Sequence, residues 1–201
     1  SMTTSNFAAR WLTRYGTDAG RPADTHVTET IDLQLRHRSV RRFLNEPIDD
    51  DTVRTLVAAA QSGSSSSNLQ LVSIVAVTDP GVRARISLAL GGNPIIDGCA
   101  VLLVYVADLA RPTALVEADG GTVETVDYFE NTLVPFLDIG IAAQNLLLAA
   151  ESLGLGGVFL GAIRNNPLEV AEILGLPDHA FPVVGMALGR PDPAERADVR
   201  P

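Results

Sequence analysis

Lysine is absent from this 201-residue chain, and all fifteen of its Lys-plus-Arg positions are arginine. A Walker-type phosphate loop, which is built around a lysine, is thereby excluded, and any phosphate site must use guanidinium groups. Cysteine occurs once. Cys99 lies in an apolar run, has no partner for an intramolecular disulfide, and reads as a core residue in a reducing, cytoplasmic setting. The three histidines, His26, His37 and His179, are too far apart in sequence to give a metal signature, and no metal site is expected. No G-x-S-x-G elbow occurs, and the serine run Ser64–Ser67 has no base beside it, so a serine nucleophile is not expected.

Positive charge is also scarce. At a formal net charge of −9 the far field of the protein repels a nucleic-acid backbone, which argues against nucleic-acid binding but not against one small anion in a local basic pocket. An unbroken apolar span is missing too. The stretch Leu133–Ala150 is interrupted by Asp138, Gln144 and Asn145, and residues 1–26 hold no continuous apolar segment, so neither a membrane helix nor a signal peptide is expected.

What is present is a chain of 46% hydrophobic residues, long enough for one well-buried domain and too short for two. Phe7, Trp11 and Tyr15 recur every four residues, which predicts a short helix docking one aromatic face, followed by a linker over Gly20–Asp24. Val27, Ile31 and Leu35 predict a helix leading into an arginine cluster. Asp50 or Asp51 is expected to cap a helix that stops at Gly63. Residues 71–78 and 99–108 read as strands, the second buried on both faces, with a helix from Pro80 to Leu90 between them. Residues 111–130 read as an acidic, irregular surface excursion. A long apolar helix over Thr132–Leu153, placed centrally or in a subunit interface, precedes a strand at 157–163. A short helix over Asn166–Leu174 and a strand over Pro182–Leu188 follow. The glycine-rich stretch 154–161 lies between a helix and a strand, the reverse of the order a dinucleotide-binding loop requires. Alternation of helices and strands by itself suggests a parallel doubly wound sheet.

Residues 36–42, Arg-His-Arg-Ser-Val-Arg-Arg, place four arginines in seven positions. Two readings stand at this point. Guanidinium forks with the Ser39 hydroxyl would suit a phosphate; a solvated basic face at a helix end would suit the helix dipole.

Four segments then carry a resemblance: HRSVRRF at 37–43 with EPI at 46–48, SSSSNLQ at 64–70, AAQNLLLAAESLGLGGVFLGAIRNN at 142–166, and FPVVGMALGRP at 181–191. Together, over residues 28–201, they resemble the FMN-dependent nitroreductase family, most closely its oxygen-insensitive NADPH nitroreductases and NADPH flavin reductases. The resemblance implies an α+β sandwich around a mainly antiparallel sheet, in place of the parallel one, and a homodimer with two FMN sites at its interface. It divides the chain into an extension, 1–26, and an FMN-binding domain, 27–201, in which most of the family's C-terminal arm is not seen.

The same resemblance implies site residues. His37, Arg38 and Ser39 match positions that hold the FMN phosphate and ribityl chain, and Arg200 a further basic residue for the phosphate. Arg41 matches a cation beside flavin N1 and O2, and Asn93 an amide against the pyrimidine edge. Ser65 matches a serine reaching the cofactor of the other subunit. Phe159, Leu160, Gly161 and Ala162 match the stretch whose backbone passes N5 and O4; relatives usually have glycine where Ala162 stands, so a negative φ or strain is expected there. Arg164 matches a substrate contact. The implied activity passes two electrons, ping-pong, from NADPH or NADH through the flavin to small acceptors such as nitroaromatics, quinones or free flavin. No catalytic side chain is needed, because the cofactor carries the chemistry. The alternatives are a flavin reductase supplying a partner protein and a non-catalytic FMN-binding protein.

Overall fold

The computed structural model describes residues 4–23, 26–124, 128–196 and 198–200. Asp24 of the expected linker and residues 125–127 of the expected acidic excursion lie outside them. The expected aromatic helix is α1 (Thr4–Tyr15), in which Phe7 is buried and Trp11 packs between Phe7 and Tyr15, with ring centroids 6.0 and 4.4 Å away. Next comes α2 (Glu29–Leu35), capped by Thr28. In α3 (Asp50–Gln61) the cap is Asp49 rather than Asp50 or Asp51. The Asp49 carboxylate accepts the Thr52 N–H at 2.8 Å, and the other two carboxylates occupy the first turn, where the helix dipole favours them.

The order continues with β1 (Val72–Val77), α4 (Pro80–Ala89), α5 (Pro94–Gly98) and β2 (Val101–Asp108). Helix α5, five residues long, is shorter than two turns and leaves no periodic signal to read. Residues 111–130 were expected to be irregular, but they begin as helix α6 (Ala110–Ala118). No residue of α6 is buried, so it has no apolar stripe by which the sequence would reveal it. The long helix is α7 (Glu130–Ser152), followed by β3 (Gly156–Leu160), α8 (Pro167–Leu174) and β4 (Ala180–Gly189). β3 ends three residues short of the strand expected to reach 163, because Gly161–Asn165 turn into a 3-10 helix.

Among the described residues one four-stranded sheet results, in the order β1-β2-β4-β3, with every neighbouring pair antiparallel. The α+β reading therefore holds against the parallel one. Its physical reason lies in β4: β2 and β3 both pair antiparallel to β4 and so run in the same direction, linked by the α6–α7 crossover, yet the last strand slots between them. Pro182 is tolerated in this central strand because it sits at a register shift opposite Tyr105 and Val106, beyond the segment paired to β3.

Both faces of the sheet are covered. Val101, Leu103, Tyr105 and Ala107 of β2 pack with α3 and α7, while Leu102, Val104 and Val106 pack with residues of α4, α5 and α8. Such two-sided burial explains why β2 reads as a continuous apolar run instead of an alternating one. Helix α7 does have the length and apolarity of a bilayer span, despite the polar residues expected to disqualify it. Here one side of it, including Ile139, Ala143, Leu146, Leu147 and Ala150, is the centre of the first core.

Candidate functional site

The arginine cluster leaves the end of α2 and runs past the edge of the sheet. The Val40 N–H donates to the Gly157 carbonyl of β3 at 3.0 Å, the Leu44 N–H to Arg190 at 2.9 Å, and Phe43 bridges Pro191. Glycines make this approach fit. A Cβ at Gly156 would come within 2.6 Å of the Val40 side chain, and one at Gly189 within 2.8 Å of the Phe43 ring. The glycine-rich stretch that failed as a nucleotide loop thus admits the cluster to the sheet edge.

The four clustered arginines divide by role. Arg36 pairs with Asp32 at 3.2 Å and Arg42 with Asp192 at 3.0 Å, so these two anchor the segment. Arg38 and Arg41 line a cleft of about 440 Å³, joined there by Arg14, Arg196 and Arg200. His37 and Ser39 also line it, and Glu195 and Asp198 are its two carboxylates. Among the described residues, five guanidinium groups against two carboxylates leave a net positive cleft in a negatively charged protein, a charge balance that suits an anion of more than one charge. Glu195 is partly engaged, accepting the Arg41 backbone N–H at 2.8 Å. His37 is oriented by Glu151, whose Oε1 lies 2.5 Å from Nδ1. Because a carboxylate accepts, Nδ1–H is the donor of this pair, and Nε2 takes no part in it.

His37, Arg38, Ser39, Arg41 and Arg200, named from sequence, meet in this cleft. Ser65, Asn93, Arg164 and the stretch Phe159–Ala162 do not line it. Ser65 borders a separate cavity of about 570 Å³, and its hydroxyl donates to Asp138 at 3.2 Å. Asp138, buried in α7, also accepts from the Ser66 hydroxyl at 2.7 Å and the Ser66 N–H at 3.0 Å. One carboxylate therefore fixes a loop that turns through left-handed φ at Ser67, Asn68 and Gln70.

Asn93 caps α5: its Oδ1 accepts the Ile95 N–H at 3.1 Å, which leaves only its amino group for a ligand. Phe159 lies two residues along β3 from Gly157, and by strand alternation it turns its N–H and C=O to the same open edge. Gly161 lies past the end of the strand, as the first residue of the 3-10 helix. Ala162 carries no positive φ, since it enters the 3-10 helix in the ordinary right-handed region, so the glycine of the relatives is not required. Arg164 folds back beneath Gly161 and donates to the Val183 carbonyl at 2.6 Å, beside the bulge in β4.

Arg14, Arg196 and Asp138 escaped the sequence reading. Arg196 stands four residues before Arg200, a spacing that could have flagged it. Arg10 and Arg14 share one helical face by the same spacing, but nothing in the sequence says what α1 docks against.

Comparison with known proteins identifies the family. An NADPH-flavin oxidoreductase of Vibrio harveyi is 42% identical over 175 residues, covering 87% of this chain and 70% of that protein. An oxygen-insensitive NADPH nitroreductase of Salmonella typhimurium is 40% identical over 176 residues, with the same two coverages of 87% and 70%. The solved structure of an NADPH:FMN oxidoreductase from Vibrio harveyi, complexed with NAD+, superposes with a TM-score of 0.80 at 41% identity, covering 87% of this chain and 73% of that one. The nitroreductase family model matches residues 35–190, which include both arginines that the cluster sends into the cleft, the whole sheet, and the glycines that let the two meet. This chain belongs to the nitroreductase family.

Proposed function

We propose that this protein is an FMN-dependent oxidoreductase that passes two electrons from NAD(P)H to small acceptors, and that the arginine cleft holds the FMN phosphate. The observation that carries this reading is the convergence of guanidinium groups from three separate segments, around residues 14, 38–41 and 196–200, on one cleft. A phosphomonoester is close to dianionic at neutral pH, and forked donors with a hydroxyl beside them match its oxygens. His37, Arg38, Ser39 and Arg200 would hold that phosphate. Arg41 would place its charge toward the pyrimidine side, Asn93 would donate from its amino group, and Phe159 on the strand edge with Gly161 and Ala162 at the start of the 3-10 helix would offer backbone N–H groups to the ring. FMN, when bound, supplies the two-electron chemistry. The chain's task is binding, orientation and electrostatics.

The family relationship and an uncovered apolar stripe support a homodimer. Leu133, Leu137 and Ile141 repeat every four residues along α7, with Phe136 beside them, and all are substantially exposed. That stripe adjoins the loop that Asp138 fixes, so a second copy on α7 would receive Ser65 toward its own cofactor. A cytoplasmic setting suits the nicotinamide donor. Both NADPH-flavin oxidoreductase and nitroreductase relatives stand near 40% identity, so catalytic efficiency with free FMN against a nitroaromatic is the measurement that assigns the acceptor.

The first test is the visible spectrum of the purified protein without air. A flavin spectrum that bleaches on adding NADPH is expected. A protein that takes up no FMN would sink the proposal, and bound flavin that NADPH leaves oxidised would favour a binding protein without turnover.

A further inference from the structure

Arg14 belongs to α1, outside the residues 35–190 that the family model matches, yet it lines the arginine cleft. Its guanidinium uses three nitrogens on three backbone carbonyls. Nε donates to Leu35 at 2.9 Å, Nη2 to His37 at 2.5 Å, and Nη1 to Arg200. Two of these carbonyls belong to the segment that carries His37, Arg38, Ser39 and Arg41, and the third belongs to the segment that carries Arg200. The side chain therefore ties together two segments, 35–41 and 198–200, whose cations meet in the cleft. It also engages carbonyl oxygens, which are the wrong sign for an anion, and adds a fifth positive charge.

Helix α1 is held where this requires it. Arg10 pairs with Asp32 of α2, whose other partner is Arg36, and Phe7 is buried beneath the helix. We infer that Arg14 is a positioning residue for the cofactor phosphate, and that the N-terminal helix is a part of the binding site peculiar to chains that carry it. The inference rests on the FMN reading above.

The two are separable by titrating the full-length chain, freed of co-purified flavin, with FMN and with riboflavin, which lacks the phosphate. Wild-type protein should prefer FMN. Arg14→Ala should weaken FMN about ten-fold or more, as expected for lost charge-assisted contacts, while riboflavin affinity changes little. Arg14→Lys, which keeps the charge without the fork, should recover part of the preference. Should Arg14→Ala fold poorly, Arg14→Gln keeps an amide donor, removes the charge, and is read by the same ratio. Equal weakening of both ligands, or an unchanged FMN-to-riboflavin ratio in a folded variant, would overturn this inference alone. Wild-type protein with no preference for FMN would overturn the phosphate site and the inference with it.

Discussion

At the scale of single residues, the site is a sorting of charges. Arg36 and Arg42 have carboxylates within 3.2 and 3.0 Å, whereas Arg41 has its backbone tied to Glu195 and its side chain in the cleft. Arg41→Ala should therefore leave the fold intact, lower flavin affinity about ten-fold and slow reduction by NADPH. The flavin-to-protein absorbance ratio and anaerobic stopped-flow traces check both effects, and unchanged values in both would remove Arg41 from the site. Sequence showed that arginines cluster but not which of them are neutralised. Asp32 is four residues from Arg36 and could have been paired with it on paper; Asp192 is 150 residues from Arg42, and only the bridge between Phe43 and Pro191 brings it near. Asp138 was visible as an interruption in an apolar helix, but its purpose, holding a serine loop, needed a fold that places α7 against residues 65 and 66.

At the scale of elements, α7 carries two apolar faces and, among the described residues, only one of them is buried. Substituting Ile141, 44% exposed on the open face, by arginine should leave the core untouched. The same change would bury an unpaired charge in any dimer formed through that face, which costs several kcal/mol. Sedimentation should then show a dimer for the native chain and a monomer for Ile141→Arg, with flavin content falling in parallel; a variant that stays dimeric would place the interface elsewhere. Elements with strong local signals were legible, among them α1 by its aromatics, α4 by its Asp-Pro start and β2 by its unbroken hydrophobicity. Helices α5 and α6 were not, one because it is too short to show a period and the other because it buries nothing. The direction of the strands was also hidden, since local sequence fixes that a strand forms and tertiary pairing fixes its neighbour.

At the scale of the whole molecule, two acids in the core set an alkaline limit. Burial pushes the Cys99 thiol from 9.0 up to about 11, and burial also raises Tyr105 above its ordinary 10.0. Both stay protonated in the folded state where the unfolded chain would ionise them, so the stability from Cys99 is complete below pH 9 and is lost as pH rises through about 11, while that from Tyr105 begins to fall only above pH 10. Urea midpoints should fall between about pH 9 and about pH 11, and Cys99→Ala should flatten the early part of that decline. A flat profile would show that neither group is sealed from water. The strand order has a separate consequence for how the protein is made. β4, residues 180–189, is the last strand among the described residues but sits in the middle of the sheet. While it is still inside the ribosome, β3 has no strand beside it and β2 has one bare edge, the state in which nascent chains are captured by chaperones or by one another. Biosynthesis must therefore pass residue 189 before the sheet can close, and synthesis rate and chaperone supply act on this protein until that point.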